Sequence, residues 1–174
     1  MLRALFLSAL AGLACGYGLP GAHPETRLGR LAVALPDNPS ADAGLDRLVA
    51  DALRREALRR PGCELVEDRG RADWVLSGRV LGLESERSSL SAVVLALEYE
   101  ITLAVDLRAV AADGREVRGP RRELRETERY LASADPEAQR KNRDEALRRV
   151  ANGLAARFLD LLAERAAVRD EGPA

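Results

Sequence analysis

Several residue types are scarce in this sequence, and their scarcity excludes some classes of protein. Among 174 residues there are two cysteines and one histidine, and aromatic residues make up 3%. Two cysteines are too few for a scaffold held together by disulfides. Serine or cysteine catalysis usually needs a histidine as general base, and His23 is the only one in the sequence. Lys141 is the only lysine, so nearly all positive charge is carried by arginine.

Aliphatic and charged residues are abundant instead. Hydrophobic residues make up 47% of the chain and charged residues 32%, which excludes a wholly disordered protein. With so few aromatic residues, the core must be built from leucine, valine and alanine. The formal net charge of -1 gives no indication of nucleic-acid binding. The length suits one domain with a leader or a tail.

The first 14 residues have the features of a secretory signal peptide. Arg3 precedes an apolar run over residues 4–13, and the small residue Ala14 stands directly before Cys15. The run is too short to cross a bilayer as a permanent helix. A small residue followed by cysteine resembles the lipobox of bacterial lipoproteins. An ordinary signal peptide followed by an incidental cysteine is the alternative.

The lipobox resemblance implies that Cys15 is acylated and becomes the first residue of the mature chain. Two or three acyl chains anchor a protein stably, since each buried methylene contributes about 0.8 kcal/mol. The residue after the cysteine directs sorting in enterobacterial lipoproteins, where Asp favours retention in the inner membrane. Gly16 stands at that place. We therefore expect a lipid-anchored protein on the periplasmic side of the outer membrane.

The segment after Cys15 has no hydrophobic periodicity and is rich in glycine and proline, which indicates a tether. It contains His23, which we interpret as a solvated loop residue. If Cys15 carries lipid, Cys63 is left as an unpaired and partly buried thiol. A Cys15–Cys63 disulfide in an unlipidated protein is the alternative. The predicted division is a signal peptide over 1–14, a tether over 15–29, one α+β domain over 30–168 and a tail over 169–174.

The strongest periodicity of the chain lies in the stretch from Val93 to Ala109. Every second residue from Val93 onward is apolar, and the interleaved residues become polar from the middle of the stretch. This period of two predicts a long, half-buried strand. Its apolar face must be covered by another apolar surface.

Two amphipathic helices, one on each side of this strand in sequence, supply that cover. The first has apolar residues at helical spacing from Leu45 to Leu53, with Ser40 or Asp42 as predicted N-caps and Pro61–Gly62 as its end. The second begins at Asp135–Pro136–Glu137, where Asp is the predicted N-cap. One apolar stripe then follows, formed by Ala146, Leu147, Val150, Ala151, Leu154, Phe158, Leu161 and Leu162.

Further strands are predicted on both sides of the central one. A short apolar run gives a first strand over 31–35, and residues 72–83 give a second, with Trp74 in the core. A polar turn is predicted over 84–91, and Asp113–Gly114 predicts a hairpin after the central strand. The predicted fold is α+β in the order βαβββα, with about four strands and two helices packed on one face of the sheet.

The predicted fourth strand, residues 115–131, is rich in charge and contains Pro120, which is typical of a sheet edge. Its arginines could bind an anionic ligand, but glutamates lie among them, and a solvated face is the simpler interpretation. The arginines are Arg121, Arg122, Arg125 and Arg129, and the glutamates are Glu123, Glu126 and Glu128.

No motif for catalysis is present. The sequence has no glycine-rich phosphate loop, no paired metal-binding cysteines and no nucleophile elbow. Its carboxylates lie on charged helix faces and strand edges, where solvated structural roles are common. We therefore expect no enzymatic activity, no metal and no cofactor, and a protein that acts by binding.

The order of these segments resembles the lipopolysaccharide-assembly lipoprotein family, LptE. The resemblance covers essentially the whole mature chain. It depends most on Cys15-Gly-Tyr17 and on the run Ala-Asp-Trp-Val-Leu-Ser-Gly-Arg-Val over residues 72–80. It implies a sheet of about four strands carrying two helices. It also implies a plug inside the outer-membrane β-barrel LptD, where the protein helps the barrel to assemble and contacts lipopolysaccharide.

Two further expectations accompany this resemblance. If glycolipid is handled, its phosphates should meet arginine side chains, whose planar fork suits bidentate contacts. The candidates are Arg87 before the central strand and Arg121 and Arg122 on the edge. The Ala-Asp-x-Val-Leu-x-Gly pattern also occurs in lipoproteins that activate peptidoglycan synthesis and in curli-secretion-like pore subunits. These form the alternative class.

Overall fold

The computed structural model describes residues 28–90 and 97–170, and the bounds of its elements follow. The strands are β1 Gly29–Val33, β2 Cys63–Leu65, β3 Trp74–Leu90, β4 Leu97–Ala111, β5 Glu116–Arg118 and β6 Leu124–Leu131; the helices are α1 Leu45–Arg59 and α2 Pro136–Asp170. The predicted signal peptide, the predicted lipidation site Cys15, all but the end of the predicted tether and residues 171–174 of the predicted tail lie outside the described residues.

The strands form one mixed sheet in the order β2-β1-β3-β4, and β5 and β6 both pair with the far side of β4. Strand β1 is parallel to β2 and to β3, whereas β3, β5 and β6 are antiparallel to β4. The segment β1-α1-β2 is therefore a parallel crossover unit. The predicted α+β class is confirmed, with six strands in the described residues instead of about four.

Strand β4 lies at the centre of the core, as its periodicity predicts. Its odd-numbered residues Ile101, Leu103 and Val105 are fully buried, and Leu107 and Ala109 continue the same face. The first residues of the predicted strand, 93–96, lie outside the described part. Because side chains alternate across a strand, the whole apolar set faces one side of the sheet.

Both helices pack on that apolar face. Val49 and Leu53 of α1 are fully buried with Val150, Leu154 and Phe158 of α2 in one cluster with the strand residues. At about 1.5 Å per residue the 35 residues of α2 extend over roughly 50 Å, longer than α1 by more than twofold. The prediction of two helices on one face is confirmed.

The polar segment before β4 is strand and not the predicted turn. Strand β3 continues through Glu84 to Leu90 and pairs with β4 as far as Leu97. A bulge between Val80 and Gly82 shifts the register by one residue, so the inward positions of β3 change from even-numbered Val80 to odd-numbered Leu83, which stands opposite Leu103. Beyond Leu83, residues 84–89 are all polar and give no alternation. Pairing to the long neighbouring strand thus outweighs the weak strand propensity of serine and glutamate.

The predicted fourth strand is confirmed as an edge but is broken in two. Strands β5 and β6 pair with β4 alone, and a short turn over Pro120–Arg122 separates them. Proline has no backbone N–H and cannot continue the ladder. The Asp113–Gly114 hairpin is confirmed, with Gly114 at a φ of 84°.

The start of α1 differs from the prediction, whereas the start of α2 agrees with it. Gly44, with a φ of 86°, precedes α1, and no side chain of the described residues caps that helix. Ser40 instead donates its hydroxyl to Asn38 Oδ1 at 2.6 Å, within the loop before α1. At α2, Asp135 accepts hydrogen bonds from the backbone N–H groups of Glu137 and Ala138 at 3.2 and 3.3 Å.

Candidate interaction surfaces

The face of the sheet opposite the helices is polar. On it, side chains of neighbouring strands form ion pairs between arginines and carboxylates and a hydrogen bond between two threonines. We call it the outer face. Residues of β4 with even numbers point to it, together with the odd-numbered residues of β6. The pairs are Arg129 Nε to Glu100 Oε2 at 3.1 Å, Arg118 Nη1 to Asp106 Oδ2 at 3.3 Å, and Thr102 Oγ1 to Thr127 Oγ1 at 2.8 Å.

The mixed charges of the β6 segment are sorted between the two faces. Glu126 and Glu128 face α2, where Arg157 lies 2.8 Å and Arg149 3.4 Å from their carboxylates. Arg125 and the other odd-numbered residues face outward and are exposed. Two of the three glutamates of this segment, Glu126 and Glu128, therefore pair with the helix, whereas Glu123 pairs with Arg125. Because charged residues occupy both faces of β6, the strand shows poor hydrophobic alternation.

Two of the three predicted glycolipid-contact residues, Arg121 and Arg122, occupy the turn between β5 and β6. Both have left-handed backbone conformations, with φ of 52° and 58°, and both side chains are exposed. Residues other than glycine seldom adopt this conformation. Here the turn over Gly119–Glu123 holds two such residues in succession, and it is closed by a hydrogen bond from the Glu123 N–H to the Pro120 carbonyl at 3.0 Å. The turn thus presents two adjacent guanidinium groups to solvent.

The third predicted residue, Arg87, lies in strand β3 and not in a turn. It is exposed and stands opposite Tyr99 of β4. Strand β6 begins at Leu124, opposite Val105, six residues further along β4. Six strand residues span about 20 Å. Arg87 and the pair Arg121–Arg122 are therefore well separated along the sheet and belong to two different surface regions.

Of the two cysteines, Cys63 is within the described residues. It is partly buried in the edge strand β2 and is a free thiol. Burial raises the pKa of its thiol, and this effect exceeds the opposing ones of a backbone hydrogen bond at Leu28 and the charge of Arg60. A thiol with a raised pKa is a weak nucleophile at neutral pH.

The other resolved pKa shifts belong to a structural ion pair. Arg30 Nη2 lies 2.9 Å from Asp73 Oδ1, and the Arg30 backbone N–H also donates to Asp73 Oδ2 at 2.8 Å. The hydrogen bond from the Arg30 side chain lowers the pKa of Asp73. A side chain at Gly29 would approach Asp73 Oδ2 within 2.5 Å, which explains the glycine there. This pair fixes the start of β1 beside β3.

A groove on the outer face was missed in the sequence. It encloses about 510 Å³ between the Arg69–Arg71 turn and the ends of β3 and β4. Arg69 and Arg108 line it together with Ser77 and several small apolar residues. The sequence could have indicated Arg108 as a groove residue, because it is a charged residue at an outward position of β4. Nothing in the sequence indicated that the distant residue Arg69 lines the same groove.

Two further observations concern chemistry and membrane insertion. Within residues 28–90 and 97–170, no three of the His, Cys, Asp and Glu side chains are grouped so that they could hold a metal ion. Over the same residues, neither helix has an apolar stretch of the length and hydropathy needed to span a bilayer.

The fold defines a class: an α+β domain whose mixed sheet carries two helices on one face and a charged, arginine-rich surface on the other. The family model for lipopolysaccharide assembly, LptE, matches residues 28–162. The match covers most of the chain, so the protein belongs to the LptE family. None of the curated proteins is similar enough in sequence to count as a match.

Solved structures share this fold at low sequence identity. Rare lipoprotein B from Shewanella oneidensis is 19% identical, with a TM-score of 0.53 over 82% of this chain and 99% of that one. A protein of Caulobacter crescentus CB15 is 20% identical, with a TM-score of 0.53 over 82% and 95%. Lipoprotein B from Nitrosomonas europaea is 16% identical, with a TM-score of 0.52 over 83% and 86%.

Proposed function

We propose that the protein is a non-enzymatic, lipid-anchored partner of an LptD-like outer-membrane β-barrel and acts in the transport of lipopolysaccharide to the cell surface. The observation that carries this proposal is the family match over residues 28–162. In this role the protein binds its partner stoichiometrically, occupies the lumen as a plug and helps the barrel to assemble.

The surface of the domain supports the plug role. The interior of a large outer-membrane barrel is polar and wet, so a plug must present polar groups around its circumference. Here the outer face carries paired charges, such as Arg129 with Glu100 and Arg118 with Asp106. Because the charges of these pairs already have partners, their contact with the lumen need not leave an isolated charge without water.

Arginine side chains are the proposed contacts for the phosphates of lipopolysaccharide. A guanidinium group binds phosphate through two parallel N–H donors and stays charged at every physiological pH. Arg121 and Arg122 project from one turn and can act as a pair, whereas Arg87 is about 20 Å away along the sheet. A single phosphate therefore contacts either the pair or Arg87. An extended glycolipid with separated phosphates is needed to engage both.

The anchor is proposed from Cys15, which lies outside the described residues. Mass spectrometry of the native N-terminus should find a mature chain that begins at an acylated Cys15. Cleavage at another residue, with Cys15 unmodified, would contradict the anchor. A leaderless Cys15→Ala protein should fold as a soluble monomer, because the sheet and both helices already form one continuous buried cluster within the described residues.

Depletion in the native host tests the whole proposal. The amounts of correctly folded barrel and of surface lipopolysaccharide should fall together, and the barrel should co-purify with the tagged protein. Normal levels of both, together with a defect in cell-wall synthesis, would assign the protein to the activators of peptidoglycan synthesis instead. A defect in the secretion of curli-like fibres would point to a pore subunit.

Charge reversal tests the glycolipid contact separately. The double variant Arg121→Glu, Arg122→Glu should retain the barrel in a pull-down but lose binding of purified lipopolysaccharide. Arg47→Glu is the control for charge reversal, since Arg47 is an exposed arginine of α1 and lies outside the turn. Equal lipopolysaccharide binding by the double variant and the control would exclude the Arg121–Arg122 turn as a contact.

A further inference from the structure

We propose that the groove between Arg69 and Arg108 is a binding site for a small organic anion, a phosphate monoester or carboxylate with a short apolar substituent. This proposal does not depend on the barrel partnership or on the three arginines assigned to lipopolysaccharide. Its basis is a single groove that is lined by two arginines, one serine and several small apolar residues.

The groove forms where the chain passes from β2 to β3. The turn over Arg69–Arg71 is closed by Asp68, whose carboxylate accepts the Gly70 N–H at 2.8 Å. On the other side, the backbone N–H of Ala112 donates to the Asp73 carbonyl at 3.1 Å and joins the end of β4 to the start of β3. Both walls are therefore fixed by hydrogen bonds.

The basic groups of the groove have capacity for a ligand. Arg69 is exposed, and among the described residues no ion pair neutralises it. Arg108 uses its Nε to donate to Ser77 Oγ at 3.0 Å, and its Nη1 is 3.9 Å from Glu116 Oε1. That same carboxylate oxygen is only 2.8 Å from Arg118 Nε. Glu116 is thus held mainly by Arg118, and the terminal donors of Arg108 remain for an anion.

Ser77 adds a third donor. Its oxygen already accepts from Arg108 Nε, so its hydroxyl hydrogen is free to turn toward a bound oxyanion. Ser77 and Arg108 are register partners on β3 and β4, and the sheet therefore fixes their separation. Arginine and serine together supply the charged and neutral donors that phosphate and carboxylate groups accept.

The remainder of the lining selects an apolar substituent of limited size. It is formed by Ala34, Gly70, Ala72, Val75, Val110, Ala111 and Ala112. Short side chains leave space for ligand atoms, and the volume of about 510 Å³ falls within the range of small-molecule sites. The groove is open to solvent on one side, so the charged head can stay partly hydrated while the substituent contacts the valines.

Calorimetric titration of the full mature chain in a non-ionic detergent tests the site. The probes are inorganic phosphate, butyl phosphate and butanol, each also titrated into detergent alone. Butyl phosphate should bind at one site, tighter than inorganic phosphate by about fourfold for each buried methylene. Butanol should give no saturable binding. Absence of saturable binding by both phosphates would overturn the proposal.

Variants identify the donors. Arg69→Gln and Arg108→Gln should each weaken butyl phosphate binding about tenfold, and Ser77→Ala less. Arg79→Gln is the matched control, an exposed arginine of β3 outside the groove that pairs with Asp37. Circular dichroism should show that all four variants keep the thermal midpoint of the parent. Parent-like binding by folded Arg69→Gln and Arg108→Gln proteins would also overturn the proposal.

Competition identifies the source of the anion. Dihexanoyl phosphatidic acid, a short-chain phospholipid, presents the same phosphate monoester on a bulkier body. Displacement of butyl phosphate by this lipid would support the site and assign it to a lipid headgroup. Binding of butyl phosphate without displacement would support the site and assign it to a free organic phosphate, because the diacyl body does not enter the groove.

Discussion

Arg157 of α2 lies 2.8 Å from Glu126 of β6, and the same Nη1 donates to the Arg125 backbone carbonyl at 2.7 Å. One side chain therefore binds both a carboxylate and a free carbonyl of the edge strand. Asn142 makes a similar bond, from Nδ2 to the Leu131 carbonyl at 2.9 Å. Side chains of α2 thus satisfy carbonyls that β4 does not reach, which protects an otherwise open sheet edge.

The first prediction concerns this contact. Arg157→Ala should lower the free energy of unfolding by about 1 kcal/mol, because the pair is partly screened by solvent and the carbonyl loses one donor. Chemical denaturation of the single variants Arg157→Ala and Glu126→Ala and of the double variant would measure the coupling. A coupling energy of zero would show that the Arg125 carbonyl, and not Glu126, accounts for the effect.

The second prediction concerns the buried face of β4. Leu103→Asp should cost several kcal/mol, since Leu103 is fully buried among apolar side chains and the new carboxylate would have no partner. Leu131→Asp is a matched control, because Leu131 is 53% exposed in β6. It should change the thermal midpoint little. If both variants melt alike, the odd-numbered face of β4 is not the core of the folded protein.

The parts of the fold that could be predicted from the sequence are those with a strong hydrophobic periodicity. Strand β4 and both helices have clear periodicities, and their burial agrees with the prediction. The extension of β3 over Glu84–Leu90 was missed because it is stabilised by pairing with β4, a long-range interaction that local composition does not report. The start of α1 was misplaced because Gly44, and not Ser40 or Asp42, precedes the helix.

The candidate surfaces were predictable only in part. The arginines of the 115–131 segment could be identified, but their direction depends on which residues of β6 face α2. Packing against α2, which follows β6 in the sequence, determines which residues of β6 face the helix. Arg69 and Arg108 line the same groove on the outer face although they are 39 positions apart in sequence. Residues so distant in sequence give no common pattern.

The third prediction concerns Cys63. Because burial raises the pKa of its thiol, little thiolate is present at pH 7 and alkylation should be slow. The rate of reaction with iodoacetamide should be lower than that of a free cysteine and should rise at a pH above the usual thiol titration. Unfolding in denaturant should restore the ordinary rate. A folded protein that reacts as fast as the unfolded one would show that Cys63 is not shielded.

The last prediction compares two glycines of β3. A methyl group at Gly78 would collide with the Asp106 backbone carbonyl and lie 2.9 Å from a Leu107 methyl carbon. The backbone of β4 cannot withdraw without breaking its pairing, so Gly78→Ala should cost about 1–3 kcal/mol. At Gly82, in the bulge of the same strand, no atom of the described residues lies within 4 Å of the added carbon, and Gly82→Ala should be tolerated. Thermal unfolding of the two variants would separate these outcomes. Equal midpoints for both would mean that β3 and β4 are further apart at Gly78 than the close approach of their backbones indicates.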